Sequence, residues 1–388
     1  MFEFIFLFLL CLISIIPFLF PAFLLFLKIF HRNTNKSEKI NNIPRVTILI
    51  PAYNEENTIE ETLNSILKTD YPNFNIIVVN DASTDNTFSK VKNFIQNNNV
   101  ELILFSNSER IGKKNILNKY IPVINTDYVF ILDANLHVEK SALKNMINLF
   151  DKNTGVIYGN LKLAKNAYSS ITDEEIHYWN LETFLKTIQS ESANITSPVG
   201  GFYILNKKYF ETIPDDCNVE DMFVLLTILS KNKKSRFSKN SVAIENTAAS
   251  TLHEFNRKKR IIRGGYFIID YVFKNNIFKK LSKIDFAAFF LNKILRWIYP
   301  AMYALTFIFS IFSFRKNKAA RIFFKLNLFL ILATLAEFTF NSINNYINNK
   351  QRIRVHFFKK PLYFFMLIFA GVTALFEKSQ HLWLKENR

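Results

Sequence analysis

Two cysteines among 388 residues are too few for a disulfide framework, and Cys11 and Cys217 sit in segments so different in polarity that they do not pair. A cysteine zinc site is excluded for the same reason. Glycine (8) and proline (10) are scarce while apolar residues make up 49%, which excludes wholesale disorder and allows a sizeable core. Charge is nearly missing from residues 1–30, where only Glu3 and Lys28 carry any. That run is longer than the apolar part of a signal peptide and lacks its basic start and small-residue cleavage site, so it reads as a retained membrane anchor.

Acidic residues are outnumbered, 32 against 49 Lys and Arg, giving a net charge of +17. In a soluble protein this would suggest nucleic acid, but here the cations gather beside apolar segments, so membrane lipids are the expected partner and nucleic acid is not. Lys28, Arg32, Lys36 and Lys39 follow the first apolar run and place the next segment on the cytoplasmic side. The 42 Phe crowd the first 30 residues and everything after about residue 262. Further apolar stretches cover 294–314, 323–340 and 361–376, the first interrupted by Arg296, the second by Glu337, the third short of the roughly 20 residues a full span needs. Both intervening loops are basic (Arg315, Lys316, Lys318, Arg321; then Lys350, Arg352, Arg354, Lys359, Lys360) although they should face opposite sides, so anchor and conduit both stay open for this region. The expected division is an anchor at 1–30, a cytoplasmic domain at 44–270, and interfacial and transmembrane helices at 271–388.

Within the middle segment, strand and helix patterns alternate. "VTILI" (46–50), "IIVVN" (76–80), "LILF" (102–105) and "YVFIL" (128–132) are short β-prone runs. Between them, Ile59, Leu63, Ile66 and Leu67 share one helical face, as do Phe88, Val91, Phe94 and Ile95, and "GKKNILNKYI" supplies a third helix. Asn57 with Glu60 three residues later predicts a capping box at the first helix. This alternation predicts an α/β fold with a parallel sheet covered on both faces, whose ligands sit at the carboxyl ends of the strands.

The residues leaving those ends are the candidates. Ala52, Tyr53, Asn54 and Glu55 follow the first strand; Asp81 follows the second, either as a turn residue or as an acceptor for a base or ribose. Gly112 and Lys113 open a helix that a pyrophosphate could approach. Asp133 and Asn135 stand two apart, a spacing that puts both side chains on one side of an extended segment, as an ordinary turn or as hard oxygen ligands for magnesium or manganese. Glu220 and Asp221 precede an apolar helix, as caps or as the place of a general base. Arg257 and Arg260 share a helical face near Arg263, as a lipid-facing basic stretch or as a clamp on diphosphate.

Taken in order, "PAYNEENTIEETLNSIL", "VVNDASTDNT", "GKKNILN", "FILDANLHVEKSAL", "SPVGGFYILNKKYF", "VEDMFVLLTIL" and "EFNRKKRIIRGG" resemble membrane-bound family 2 glycosyltransferases of the cellulose-synthase-like group, over roughly residues 44–270. The resemblance implies a GT-A nucleotide-sugar-binding domain with a mostly parallel sheet, flanked by transmembrane helices. It implies an inverting transfer from a nucleotide sugar, expected to be a UDP-sugar, to a saccharide acceptor in cell-surface or exopolysaccharide synthesis at the bacterial inner (plasma) membrane. Single-sugar transfer to a lipid carrier, or a scaffold or transporter without catalysis, are the alternatives. By motif, Ala52, Tyr53, Glu55, Asp81 and Lys113 would hold the nucleotide. Asp133 and Asn135 occupy the metal-binding DxD, Asp221 with its neighbour Glu220 the position of the base, and Arg257 and Arg260 the place of QxxRW. Asn135 keeps an oxygen ligand but removes a charge, and the last motif lacks both Gln and Trp.

Overall fold

A computed structural model describes residues 1–30, 43–98, 100–164, 172–246, 251–347 and 359–375. The basic residues Arg32, Lys36, Lys39, Lys350, Arg352 and Arg354 lie outside them. Helix α1 (Phe2–Phe30) is followed by the alternation read from the sequence: β1 (Val46–Ala52), α2 (Ile59–Leu67), β2 (Phe74–Asn80), α3 (Thr87–Asn97), β3 (Leu102–Ser106), α4 (Lys113–Tyr120) and β4 (Tyr128–Leu132). β1 and β4 are buried along nearly their whole length, as strands covered on both faces must be, and this is why they read as unbroken apolar runs. β3, at the sheet edge, leaves Ile103 and Phe105 exposed. On α2 the stripe Ile59, Leu63 and Ile66 is fully buried, worth roughly 1.5–3 kcal/mol per side chain. The capping box is not formed. Thr58 is the N-cap, because the N–H groups of Thr58 (3.1 Å) and Ile59 (2.9 Å) both donate to Glu55 O and so enclose Asn57 in the turn before the helix.

Next come β5 (Leu136–Val138), α5 (Ala142–Ile147), β6 (Thr154–Ala164), α6 (Thr172–Ser192), β7 (Phe202–Asn206), α7 (Glu220–Ser230) and β8 (Lys234–Asn246). The sheet order is β3-β2-β1-β4-β7-β6-β8-β5. The first four strands pair in parallel as expected, whereas β7 joins β4, and β6 joins β7, antiparallel. β8 then pairs with β6 in parallel and with β5 antiparallel. β4 and β5 sit four places apart in this order, about 19 Å in a flat sheet. Residues 133–135 join them and can bridge only about 14 Å. The sheet therefore curls back on itself, and the segment Asp133-Ala134-Asn135 closes the curl.

The remainder is helical: α8 (Thr251–Lys274), α9 (Ile277–Lys280), α10 (Lys283–Phe289), a π-helical turn at Phe290–Ile294, α11 (Leu295–Ser313), α12 (Lys318–Ile347) and α13 (Lys359–Ala374). Among the described residues, two helical stretches are long and apolar enough to cross a membrane, Phe2–Phe30 and Lys283–Ser313. They pack together through Phe2, which stacks on Phe312 at 5.3 Å between ring centroids. α1 also covers α6 and α10, where Phe20, Leu24 and Leu27 meet Leu185 and Ala288. One apolar core runs from Val46 through the sheet to Phe289, Ile294 and Trp297, so the sheet domain and the long apolar stretch Lys283–Ser313 share packing.

Candidate active site

The loops after β1 and β2 are stitched together. Asn54, in the left-handed conformation that Asn tolerates (φ 54°), accepts from Thr84 N at Oδ1 (2.8 Å) and donates its own N–H to Ser83 Oγ (3.0 Å). The Glu55 N–H donates to Thr87 Oγ1 (2.7 Å) and that of Glu56 to Asp85 (3.1 Å). This frame fixes the floor of an open cleft at the carboxyl ends of β1, β2 and β4, whose lining includes Ala52, Tyr53, Glu55, Asp81, Lys113, Asp133 and Asn135. Seven of the eleven residues to which the motif resemblance gives roles thus line one cleft.

Asp81 is 3% exposed and accepts from Asn107 Nδ2 (3.0 Å), Ile111 N (2.9 Å) and Gly112 N (2.7 Å). Of the roughly four acceptor positions on a carboxylate, one is left for a ligand. Its first task is to shape the loop before α4, where Gly112 adopts φ +82°, a conformation costly for any side-chain-bearing residue. That loop carries a residue the sequence reading missed. The Arg110 guanidinium lies 3.8 Å from the centre of the Tyr53 ring, and its Nε and Nη2 are buried without a hydrogen-bond partner. Buried orphan donors are costly, and these two lie at the cleft, positioned for an acceptor-rich ligand. The one signal in the sequence is an arginine three residues before Lys113 in a loop leading to a helix N-terminus.

At the other end, Lys113 Nζ donates to Asp133 Oδ1 (2.7 Å) and pairs with Glu220 (3.1 Å), tying the end of β4 to the start of α7. Burial favours its neutral form, but the two carboxylates outweigh it and hold the ammonium well above the ordinary lysine range. The turn Gly200-Gly201 passes between two acids. A Cβ on Gly201 (φ +70°) would fall 2.0 Å from Asp133 Oδ2, and one on Gly200 3.3 Å from Asp221 Oδ2. Burial raises the Asp221 carboxyl to about 6, with Glu220 pushing the same way against the pull of Lys113 and of the Met222 N–H. The Tyr203 hydroxyl, buried and without a partner, faces the same acids. Arg257 and Arg260 lie part-buried on α8 and do not line the cleft.

Asn135 donates through Nδ2 to Glu245 on β8 (3.1 Å), which turns its Oδ1 into the oxygen available to a cation. With the second oxygen of Asp133, that makes two hard oxygen donors. No cluster of three or more His, Cys, Asp or Glu suited to a metal occurs among the described residues. The pair fits a divalent ion that takes most of its ligands from a bound phosphate and water, as magnesium does.

Residues 47–213 match the sequence profile of glycosyl transferase family 2. The chain is 33% identical over 178 residues to the poly-beta-1,6-N-acetyl-D-glucosamine synthase of Staphylococcus aureus (strain MSSA476), covering 45% of this chain and 42% of that one. To the synthase of the same name from Staphylococcus epidermidis it is 28% identical over 188 residues, 48% and 45% of the two chains. It thus spans less than half the length of these curated relatives. Among solved structures, the mannosyltransferase PcManGT from Pyrobaculum calidifontis, in complex with GDP-Man and Mn2+, superposes with a TM-score of 0.65 at 18% identity, over 96% of this chain and 98% of that one. The α/β part of the fold, with its curled mixed sheet, is therefore GT-A-like.

Proposed function

We propose that this chain, whose residues 47–213 form a glycosyl transferase family 2 domain, moves a sugar from a nucleotide-sugar donor to a saccharide acceptor, free or lipid-linked, with inversion at the anomeric carbon. The observation that carries this reading is the convergence, in one strand-end cleft, of a cation stacked on an aromatic ring, a buried carboxylate beside a helix N-terminus, and two oxygen donors next to a partly buried acid. Those are the groups a base, a diphosphate and a developing nucleophile require. The naming of its relatives as polysaccharide synthases supports a role in building cell-surface or exopolysaccharide.

In this reading Tyr53 and Arg110 hold the base, Asp81 and Glu55 the nucleoside, and Lys113 the diphosphate. Asp133 and Asn135 Oδ1 are the residues that would hold a divalent cation, magnesium or manganese, which when bound neutralises charge on the diphosphate. The Mn2+ and GDP-Man in PcManGT are in keeping with that assignment. Asp221 takes the proton from the acceptor hydroxyl, whose oxygen attacks the anomeric carbon as the bond to the nucleoside diphosphate breaks. Arg257 and Arg260 lie outside the cleft lining and are given no contact with the bound donor in this reading; replacing both by Gln should leave donor affinity largely unchanged. The catalytic unit is residues 44–270, facing the cytoplasm, with 1–30 and 271–388 attaching it to the bacterial plasma membrane.

The test is a screen of the purified full-length protein against UDP- and GDP-sugars with magnesium or manganese, scoring nucleoside diphosphate release. Release that depends on one donor and on an added acceptor is expected; silence toward every donor overturns the reading.

A further inference from the structure

The Gly200-Gly201 turn has the least room of any part of the site, with one glycine facing Asp221 and the other Asp133. What fixes it differs on its two sides. Downstream, the Asp133 N–H donates to Gly201 O (2.9 Å) and Phe202 enters β7 opposite Leu132, so Gly201 is held by the sheet that also carries Asp133. Upstream there is no strand. Residues 193–199 run from the end of α6 to the turn, with Ile195, Thr196, Ser197 and Val199 each at 1% exposure or less.

Side chains replace the missing ladder. Gln189 of α6 donates to Asn194 O (2.8 Å), and Ser235 Oγ of β8 donates to Ile195 O (2.8 Å). Two further contacts lead to the C-terminal helices. Asn194 Nδ2 donates to Asp285 Oδ2 on α10 (3.1 Å), and Ser197 Oγ donates to Glu182 Oε2 on α6 (3.2 Å), whose other oxygen accepts from Arg296 on α11. Burial alone would raise the Glu182 carboxyl, but Arg296, Lys293 and Lys186 outweigh it and hold it well below the usual carboxylate range, so Ser197 donates to a full charge. Asp285 and Arg296 both belong to the apolar stretch Lys283–Ser313. That stretch therefore grips the chain at Asn194 and, through Glu182, at Ser197. Only Pro198, with its fixed φ, and the buried Val199 separate Ser197 from Gly200, so a displacement at Ser197 is passed on to the turn.

We infer that Asp285 and the pair Arg296–Glu182 are positioning residues: they make the stretch Lys283–Ser313 a strut that, through Asn194 and Ser197, sets Gly200 against Asp221, while the sheet sets Gly201 against Asp133. The inference rests on the glycosyl-transfer reading for the work Asp221 does. Its signature follows from the two-sided anchoring. Releasing the strut frees the side of the turn that meets the base and leaves the side that meets the donor site, so turnover should fall while nucleotide affinity stays.

Full-length wild type, Ser197→Ala, Asp285→Ala, Asp285→Asn and Ser282→Ala are compared in dodecyl maltoside micelles by hydrogen exchange of the amides of residues 199–202, by UDP or GDP titration, and by nucleoside diphosphate release at saturating donor and acceptor. Ser197→Ala and Asp285→Ala should exchange those amides at least about fivefold faster, with the amides of β1 unchanged, and should lower turnover about tenfold with nucleotide affinity within about twofold of wild type. Asp285→Asn keeps the accepting oxygen and should behave as wild type. Ser282→Ala removes the oxygen that accepts from the Asp285 N–H (3.1 Å) and so weakens the start of α10 without removing the contact to Asn194; it should keep full turnover. Unchanged exchange in both Ser197→Ala and Asp285→Ala, faster exchange with undiminished turnover, or an equal loss of turnover in Ser282→Ala would overturn the strut, as would nucleotide affinity falling in step with turnover. Silence of the wild type toward every donor would instead remove the glycosyl-transfer reading, with exchange still deciding whether the strut holds the turn.

Discussion

Arg110 and Gly201 show how much of this site rests on single residues that carry no motif of their own. Asp81, Lys113, Asp133 and Asn135 were legible because each stands directly after a strand or at a helix start, where the chain order alone brings ligand-facing groups together. Arg110 was not, since a guanidinium stacked on Tyr53 depends on the path of a loop that Asp81 folds from a distance. Gly201→Ala should cost activity about 10²-fold or more, because its Cβ would collide with the Asp133 carboxylate at a positive φ, while Gly200→Ala, whose Cβ would make a tight 3.3 Å contact with Asp221 Oδ2 that a small shift relieves, should be milder; steady-state nucleotide release on both variants checks this. Asp221 must be ionised to accept a proton, and burial places its carboxyl at about 6, so turnover should be full well above that pH and fall about tenfold per unit below it. Glu220 raises that value, so Glu220→Gln should move the acid limb of the pH profile to lower pH. Chelation should stop turnover, manganese or magnesium should restore it, and Asn135→Asp should lower the metal concentration needed for half-maximal rate by adding a charge to the pair.

The elements divide into those set by local pattern and those set by distant partners. β1 to β4 and the helices between them follow from short apolar runs and 3.6-residue stripes. The antiparallel insertion of β7 and the return of β8 to pair with β5 do not, because their register is decided by strands 70 to 110 residues away in sequence. The capping-box pattern at Asn57 failed for a related reason: Glu55, held by the frame of loops, accepts the N–H groups of Thr58 and Ile59 at its carbonyl and leaves Asn57 inside the turn before the helix. Asn57→Ala is therefore expected to change stability by less than about 0.5 kcal/mol, against the ~1 kcal/mol a working cap would cost, as read from thermal melts. α6 is the element whose role was hidden altogether. Glu182 on its inner face pairs with Arg296 of α11 and its apolar face meets α1, an arrangement no periodicity within α6 announces.

For the whole molecule, apolar length pointed to a membrane anchor, and α1 together with the stretch Lys283–Ser313 meets that criterion. What composition could not disclose is that these helices are packed into the globular part: Leu27 and Leu24 cover Leu185, and the main core continues to Trp297. Removing residues 1–30 would expose that apolar face. The truncated protein should lose monodispersity on size exclusion in detergent and lose turnover with it, whereas a detachable tether would leave both intact.

The central claim is that one cleft binds a nucleotide sugar and that Asp221 removes a proton from its acceptor. It is tested most directly by Asp221→Asn, with donor binding measured by titration and transfer measured as acceptor-dependent nucleoside diphosphate release. The account predicts donor affinity within about twofold of wild type and transfer reduced by about 10²–10⁴, the span a lost general base produces. Near wild-type transfer by that variant would contradict it.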